Sequence, residues 1–596
     1  MTQQTAGTQT ANVADREDSR DTGSPGKPGW RRLIRSLRNR KTAFMLLFGF
    51  ASGLPYTLLL STLYAWMSDA RVDLETVGVF SLIGLAFAFK FLWSPLLDRV
   101  NIPFVKRLGH RKQWIVVAQF SLAFILAIVS TLDPAGAIGM LSLLAGTGAF
   151  ASATQDVVMD AWRVDVADEV ATIDILSTVY QLGWRSAVLV GGALALFLAE
   201  RLGWPFVYAI MAGIMFCIAV ASLFAPEAGQ SETSLATDAR HLADLRMAGQ
   251  IRPQVRGWAL AFVAALWAWA LITVGVFMVR SLGSDPSFRP DSVAFVTQTG
   301  PVIVIATVII PAAIAGWLEA MRRRGRHILQ EDSRSTGTLD SLVDHGYRAL
   351  ILPLTEFVGR LGWAVVLVLA LVLSYRITDT IWGSFAYPFY LGELQYTKDE
   401  VAIASKFFGV GALMLGIALG GALFTFIGRM AVMTIGAAAA AATNLLYADL
   451  SLGGHVMQAA AHLSGFAWLV EQLGGDARLA RLMLAIGGEN IAGGIAGAAL
   501  VAYLSSITAK GYSAVQYALL SSLTFLVGTL GRGALGRMIE EQGYYPVFLL
   551  TTGIGLLAVV LCVLEWIRTA RQSRVARQEA SPAASEAADP SMVSQV

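Results

Sequence analysis

Gln155, Asp156, Asp160 and Arg163 stand inside an apolar run that begins at Ile138. Positions 156, 160 and 163 are spaced i, i+4, i+7 and share one face of a helix. An ionisable group at membrane depth is costly and normally faces a bundle interior or a water-filled path. The chemistry open to such a face is solute binding and proton exchange by a carboxylate held away from water. Arg185, in YQLGWRSA, is a cation suited to pairing with Asp160 or with a carboxylate on a solute. The same acids also suit a structural ion pair near the end of the span, and the sequence leaves both readings open.

A second set of candidates lies after residue 370. Arg376, Asp379, Gly383 and Tyr387 form a stripe at helical spacing, and the Trp382 and Tyr387 rings suit stacking on a sugar. Glu489 and Asn490 interrupt IGGENIAGG, where glycines allow close helix approach, and Glu489 is a second candidate proton site. Lys90 and Lys406 are within reach of a central cavity, although long basic side chains more often extend to an interface. Tyr56 and Tyr64 are candidate sugar contacts, whereas Trp66 reads as an interface anchor. No GxxxxGK[ST] occurs, which argues against ATP-driven transport by this chain alone. The two cysteines lie in apolar runs and the six histidines lack ligand spacing, so neither a metal nor another cofactor is expected.

These residues need a membrane scaffold, and the composition supplies one. Apolar residues make up 55% of the 596, charged residues only 15%, and mean hydropathy is +0.58. An ordinary soluble protein carries about 25% charged residues. Recurrent runs of about 20 apolar residues point to an all-α polytopic membrane protein, not a β-barrel. Fourteen spans are expected, near 44–67, 75–97, 113–132, 136–159, 174–199, 204–224, 258–280, 293–317, 362–390, 400–425, 428–449, 479–505, 513–536 and 545–567. Residues 30–41 carry six Lys or Arg and no acid, and basic loops at 98–112, 225–257, 319–360 and 568–577 alternate with less basic ones. The positive-inside rule then puts both termini in the cytoplasm. No apolar run precedes Phe44, so a cleavable signal is not expected. The net charge of +3 says little by itself; membrane lipid is an expected partner and nucleic acid is not.

The segment 63–84 matches 389–409 at a constant offset of 325, with Glu75 on Glu400 and Gly84 on Gly409. This divides the chain into a disordered and basic N-terminus (1–43), a six-helix half (44–224), a linker with two inserted spans at 258–280 and 293–317 (225–361), a second six-helix half (362–567) and a tail (568–596). Such parallel pseudo-repeats are the signature of a major facilitator superfamily transporter, with substrate held between the halves. Residues 319–360 and 451–477 read as interfacial stretches, the latter alternatively as a re-entrant segment.

Between spans two and three, SPLLDRVNIPFVKRLGHRK resembles the superfamily's gating motif. Asp98 is expected at a neighbouring helix N-terminus, stabilised by Arg99 or Arg111, with Lys112 in the same loop. The second half keeps only Gly428 and Arg429 there, so a reduced gate is expected. ATQDVVMDAWRVD, together with FGFASGLPY, LWSPLLDR and DTIWGSFAYPFY, resembles the AmpG muropeptide permease family over residues 44–224 and 360–567. The resemblance implies proton-driven import of N-acetylglucosaminyl-1,6-anhydro-N-acetylmuramyl peptides across the bacterial inner membrane. It places the chain in peptidoglycan recycling, and in β-lactamase induction where that circuit exists. The alternatives are the same fold carrying acetyl-CoA, a siderophore or another small solute, and, from a different class, a non-transporting membrane sensor.

Overall fold

A computed structural model describes residues 30–71, 83–98, 100–134, 136–227, 253–281, 294–323, 350–376 and 385–586. These residues are helical throughout, with short connections and no strand among them. After a short basic helix α1 (Trp30–Leu37) come α2 (Arg40–Asp69), α3 (Ile83–Ala88), α4 (Ser94–Leu97), α5 (His110–Val129), α6 (Ile138–Val166), α7 (Ile173–Leu202) and α8 (Trp204–Ser222). Then follow α9 (Pro253–Ser281), α10 (Gly300–Met321), α11 (Leu352–Leu361) and α12 (Ala364–Ser374). The last group is α13 (Lys398–Ile427), α14 (Arg429–Ser451), α15 (His455–Leu463), α16 (Phe466–Gln472), α17 (Ala477–Ser506), α18 (Ser513–Gln542) and α19 (Tyr544–Glu586).

Ten helices among the described residues are long and apolar enough to cross a membrane, or eleven if α11 and α12, bent by 104°, form one span. At 1.5 Å per residue, the 29-residue α6 and the 30-residue α18 are also about 44–45 Å long, enough to cross a core about 30 Å thick. The expected spans at 75–97 and 362–390 fall partly outside the described residues. The chain is a polytopic all-α membrane protein.

The helix pairing repeats along the chain. In the first group α2 packs on α7 and α8, α3 on α6, and α5 on α6 and α8. In the second, α12 packs on α18 and α19, α13 on α17, and α14 on α17 and α19. The turns repeat as well. Gly109 (φ 93°) enters α5 as Gly428 (φ 80°) enters α14, and Gly203 (φ 81°) joins α7 to α8 as Gly543 (φ 79°) joins α18 to α19. Each is a one-residue reversal in the left-handed region, where a side chain would be strained.

Contact within each group is close because glycine permits it. A Cβ at Gly49 of α2 would overlap the Tyr180 carbonyl of α7, and one at Gly416 of α13 would overlap the Ile491 carbonyl of α17. Small residues at such crossings let backbones approach without the hydrophobic drive that water provides elsewhere. The two groups meet through α7 against α13 and α17, and through α6 and α4 against α18. The inserted α9 and α10 pack on each other, and α10 also packs on α11 and α18.

α15 and α16 fill much of the stretch 451–477 and leave Leu463, Trp468 and Leu473 exposed. In the other expected interfacial segment, α11 packs against α10 and α18, and Arg360 donates to the Ile507 carbonyl at 2.7 Å. Residues 324–349 lie outside the described set.

Candidate functional site

Three polar regions follow from this packing. At the middle of α6, Asp156 pairs with Lys90 and accepts hydrogen bonds from Ser52 at 2.7 Å and Tyr180 at 2.6 Å. Lys90 Nζ is also 3.9 Å from Asp160, whose other partner is Arg163 at 2.9 Å. Arg163 is fully buried, lies 5.1 Å and 5.0 Å from the Tyr180 and Tyr517 ring centres, and donates to Ser505 at 3.1 Å. Two acids and two bases thus form a closed, neutral cluster. Lys90 reaches it because the helix breaks there into a three-residue 3₁₀ turn, Lys90–Leu92, between α3 and α4. Gln155 donates to the Ala51 carbonyl at 2.7 Å, fixing α6 to α2 one residue from Asp156.

The second region lies on α7 beside the first. Arg185 sits 4.8 Å above the Trp184 ring, which is 5.6 Å from Tyr56, itself 4.9 Å from Phe87. Arg376, from the other half, lies within electrostatic range of Arg185. In the same half, Tyr447 donates to Glu489 and accepts from Tyr390 at 3.0 Å. Asn490 bonds the Ile486 carbonyl of its own helix at 2.8 Å, and Lys406 stands 5.5 Å from the half-exposed Tyr387 ring. Tyr64 packs against the core of the first half.

The third region closes one end of the bundle. Arg111 bridges Asp98 at 2.7 Å and Asp165 at 2.8 Å and donates to Ser513 at 2.8 Å. Asp98 accepts from the Val515 amide at 3.0 Å, in the first turn of α18, where free amides and the helix dipole favour an anion. Arg429 crosses between the halves to Asp174 with contacts of 2.5 and 3.2 Å. Close by, a Cβ on Gly421 would overlap the Thr178 side chain.

Several expectations need correcting. Asp160 pairs with Arg163 and Lys90 and not with Arg185, because Arg163 is one turn away on the same helix. Lys90 does not extend to an interface; its ammonium is drawn inward by two carboxylates. Trp66 is no interface anchor: it is 4% exposed and packs on Trp204 and Tyr208. Lys112 stays out of the Asp98 cluster and donates to the Leu223 and Ala225 carbonyls, each at 3.2 Å. Arg429, one of the two residues kept at that junction, takes its acid partner, Asp174, from the other half. Asp379, Trp382, Gly383 and Arg99 lie outside the described residues.

Sequence reasoning missed Ser52, Tyr180, Ser505, Tyr517, Asp165, Ser513 and Asp174. Tyr180 had a signal, standing five residues before Arg185 in the same polar stretch of a span. The serines had none.

Comparison with known proteins adds a family context. Residues 43–140 match a family model described as acetyl-coenzyme A transporter 1. The chain is 28% identical over 545 residues to the anhydromuropeptide permease of Escherichia coli strain K12, covering 90% of this chain and 82% of that protein. Among solved structures, the human organic anion transporter MFSD10 (TETRAN) aligns with a TM-score of 0.47 and 14% identity, over 88% of this chain and 99% of the other. The major facilitator superfamily proton:xylose symporter XylE aligns with a TM-score of 0.48 and 12% identity, over 87% and 94%.

Proposed function

Because the chain is a homologue of the AmpG permeases, we propose that it imports anhydromuropeptides across the bacterial inner membrane, driven by protons and working by alternating access. The observation that carries this reading is the buried cluster of Lys90, Asp156, Asp160 and Arg163. A proton arriving on Asp156 releases Lys90, and that change of pairing is a local charge event able to bias a two-state bundle. Tyr56 and Trp184 offer ring faces to the sugars, and Glu489 with its tyrosine partners is a second place for a proton.

The ends of the bundle take the gating role. With the basic loops facing the cytoplasm, the contacts of Asp98, Arg111, Asp165 and Arg429 shut the cytoplasmic side, and import requires them to part. Lys112 acts indirectly by holding the start of α5 to the end of α8. The match of residues 43–140 to an acetyl-coenzyme A transporter model favours one second reading, the same fold carrying that thioester.

The deciding experiment is uptake of labelled anhydromuropeptide into right-side-out vesicles, with and without a proton gradient. Gradient-dependent accumulation that is lost in Asp156→Asn supports the reading. Uptake indifferent to the gradient removes the proton, and transport of acetyl-CoA in its place removes the muropeptide.

A further inference from the structure

We propose that Arg185 is an anion anchor that takes a carboxylate of the transported solute at the junction of the two halves. The identity of the solute rests on the muropeptide reading; the site itself does not.

Three other cations buried among the first-half helices are each paired with an acid. Lys90 has Asp156, Arg111 has Asp98 and Asp165, and Arg163 has Asp160. Arg185 differs. Its Nε is buried without a hydrogen-bond partner, and the groups that act on its charge are Arg376 and Tyr56, a like charge and a phenol. A guanidinium away from water is costly unless an anion or acceptor meets it.

The surroundings fit a bound solute better than a missing protein side chain. Gln181 and Arg185 are one helical turn apart on α7 and share a face. Opposite them, a Cβ placed on Gly497 of α17 would lie 3.3 Å from Arg376 Nη1 and 3.6 Å from Gln181 Nε2. An amide from one half and a guanidinium from the other therefore converge over a residue with no side chain. Trp184 and Tyr56 flank Arg185 with aromatic faces. Donors on one side and rings on the other suit a molecule with a carboxylate next to sugar or amide groups. A guanidinium fork matches the two oxygens of a carboxylate, which a lysine does not.

The arrangement also links binding to movement. Arg185 faces the like charge of Arg376 across the two halves, and that repulsion opposes their approach. A carboxylate on Arg185 offsets that repulsion and favours closing around the solute.

The test uses the full chain in liposomes, with an anhydromuropeptide offered as the free acid and with its peptide carboxylates converted to amides, and with acetyl-CoA as a third probe. The wild type is expected to bind the acid about tenfold or more tightly than the amide, the size of one charge-assisted contact. Arg185→Gln should weaken binding of the acid about tenfold and so abolish that preference, and Arg185→Lys should restore part of it. If Arg185→Gln keeps the acid-over-amide ratio, the anchor is overturned and the muropeptide reading survives. If acetyl-CoA alone binds, and Arg185→Gln weakens it, Arg185 holds a phosphate, and both the carboxylate assignment and the muropeptide reading fall. Loss of folding in Arg185→Gln, seen by thermal unfolding, overturns the proposal, because an anchor for solute should not be needed for the empty fold.

Discussion

Two ionic clusters of this molecule use the same side chains to different ends. In the middle of α6, Lys90, Asp156, Ser52 and Tyr180 all belong to the first half, and the second half reaches the cluster through Ser505 and Tyr517 at Arg163. At the closed end, Asp98, Arg111 and Asp165 are held with Ser513 and Val515, and Asp174 with Arg429, so each contact set spans both halves. A cluster inside one half survives when the halves separate, whereas a cluster between them must break. Under the proposed transport cycle, the first would carry charge and the second would set which state is populated.

This contrast can be broken experimentally, most severely at Arg111. Arg111→Ala leaves Asp98 and Asp165 buried beside each other without their cation, and removing one partner of such a group costs about 3–5 kcal/mol. Thermal unfolding of the purified protein should fall accordingly, and an unchanged midpoint would mean the cluster is wet in solution.

The cluster on α6 allows a sharper separation of roles. Asp156→Asn should destabilise by leaving Lys90 with only the more distant Asp160. Adding Lys90→Met should recover about 1–4 kcal/mol of that loss, because a buried pair is often replaceable by apolar groups. Uptake should stay absent in the double variant. Recovery of stability and uptake together would make the pair purely structural.

A smaller effect is expected at Arg429, whose pair with Asp174 is partly exposed. Arg429→Ala should cost no more than about 1 kcal/mol, yet favour opening of that end by up to about fivefold. A cysteine at position 178, buried against Gly421, reports this opening through its rate of maleimide labelling in a Cys217→Ser background. An unchanged rate would remove Arg429 from the closure.

The smallest effect concerns Asp168, in the connection between α6 and α7. Burial alone would raise its pKa, but the Lys41 ammonium at 2.5 Å and the Ala171 and Val170 amides outweigh it and hold the carboxyl below its ordinary value of 3.8. Its stabilising contribution is therefore complete above that ordinary value and is lost as pH falls through the depressed one. Asp168→Asn should lower the unfolding midpoint by a degree or so near neutrality and by less in strong acid; a gap that widens in acid would reverse the assignment.

What the sequence discloses follows from the same distinction. Asp156, Asp160 and Arg163 are conspicuous because charge is rare in an apolar run, and their spacing alone puts them on one face. Asp98 and Arg111 are legible for a related reason, standing in a loop whose charge pattern is distinctive. Their partners are not legible: Ser505 is 342 positions from Arg163, and Ser513 is 402 from Arg111. Serine and tyrosine are ordinary residues in a span, and no local pattern says which far segment they meet. Arg163 is visible too, but the sequence offers Arg185 of the next helix equally as the partner of Asp160. The fold was more accessible than the site, because apolar length and basic loops are properties of each segment alone.

The pairing of Lys90 with Asp156 also has a consequence for biogenesis. The lysine precedes its acid by 66 positions. At a synthesis rate of about 5–20 residues per second, the ammonium is made roughly 3–13 seconds before its counter-ion. During that interval it cannot be released into lipid alone without the penalty of an unpaired charge. The insertion machinery must therefore retain the helix around Lys90 until α6 arrives, so that the pair enters the bilayer already neutral. The order of the spans along the chain is thus part of how this protein reaches its membrane.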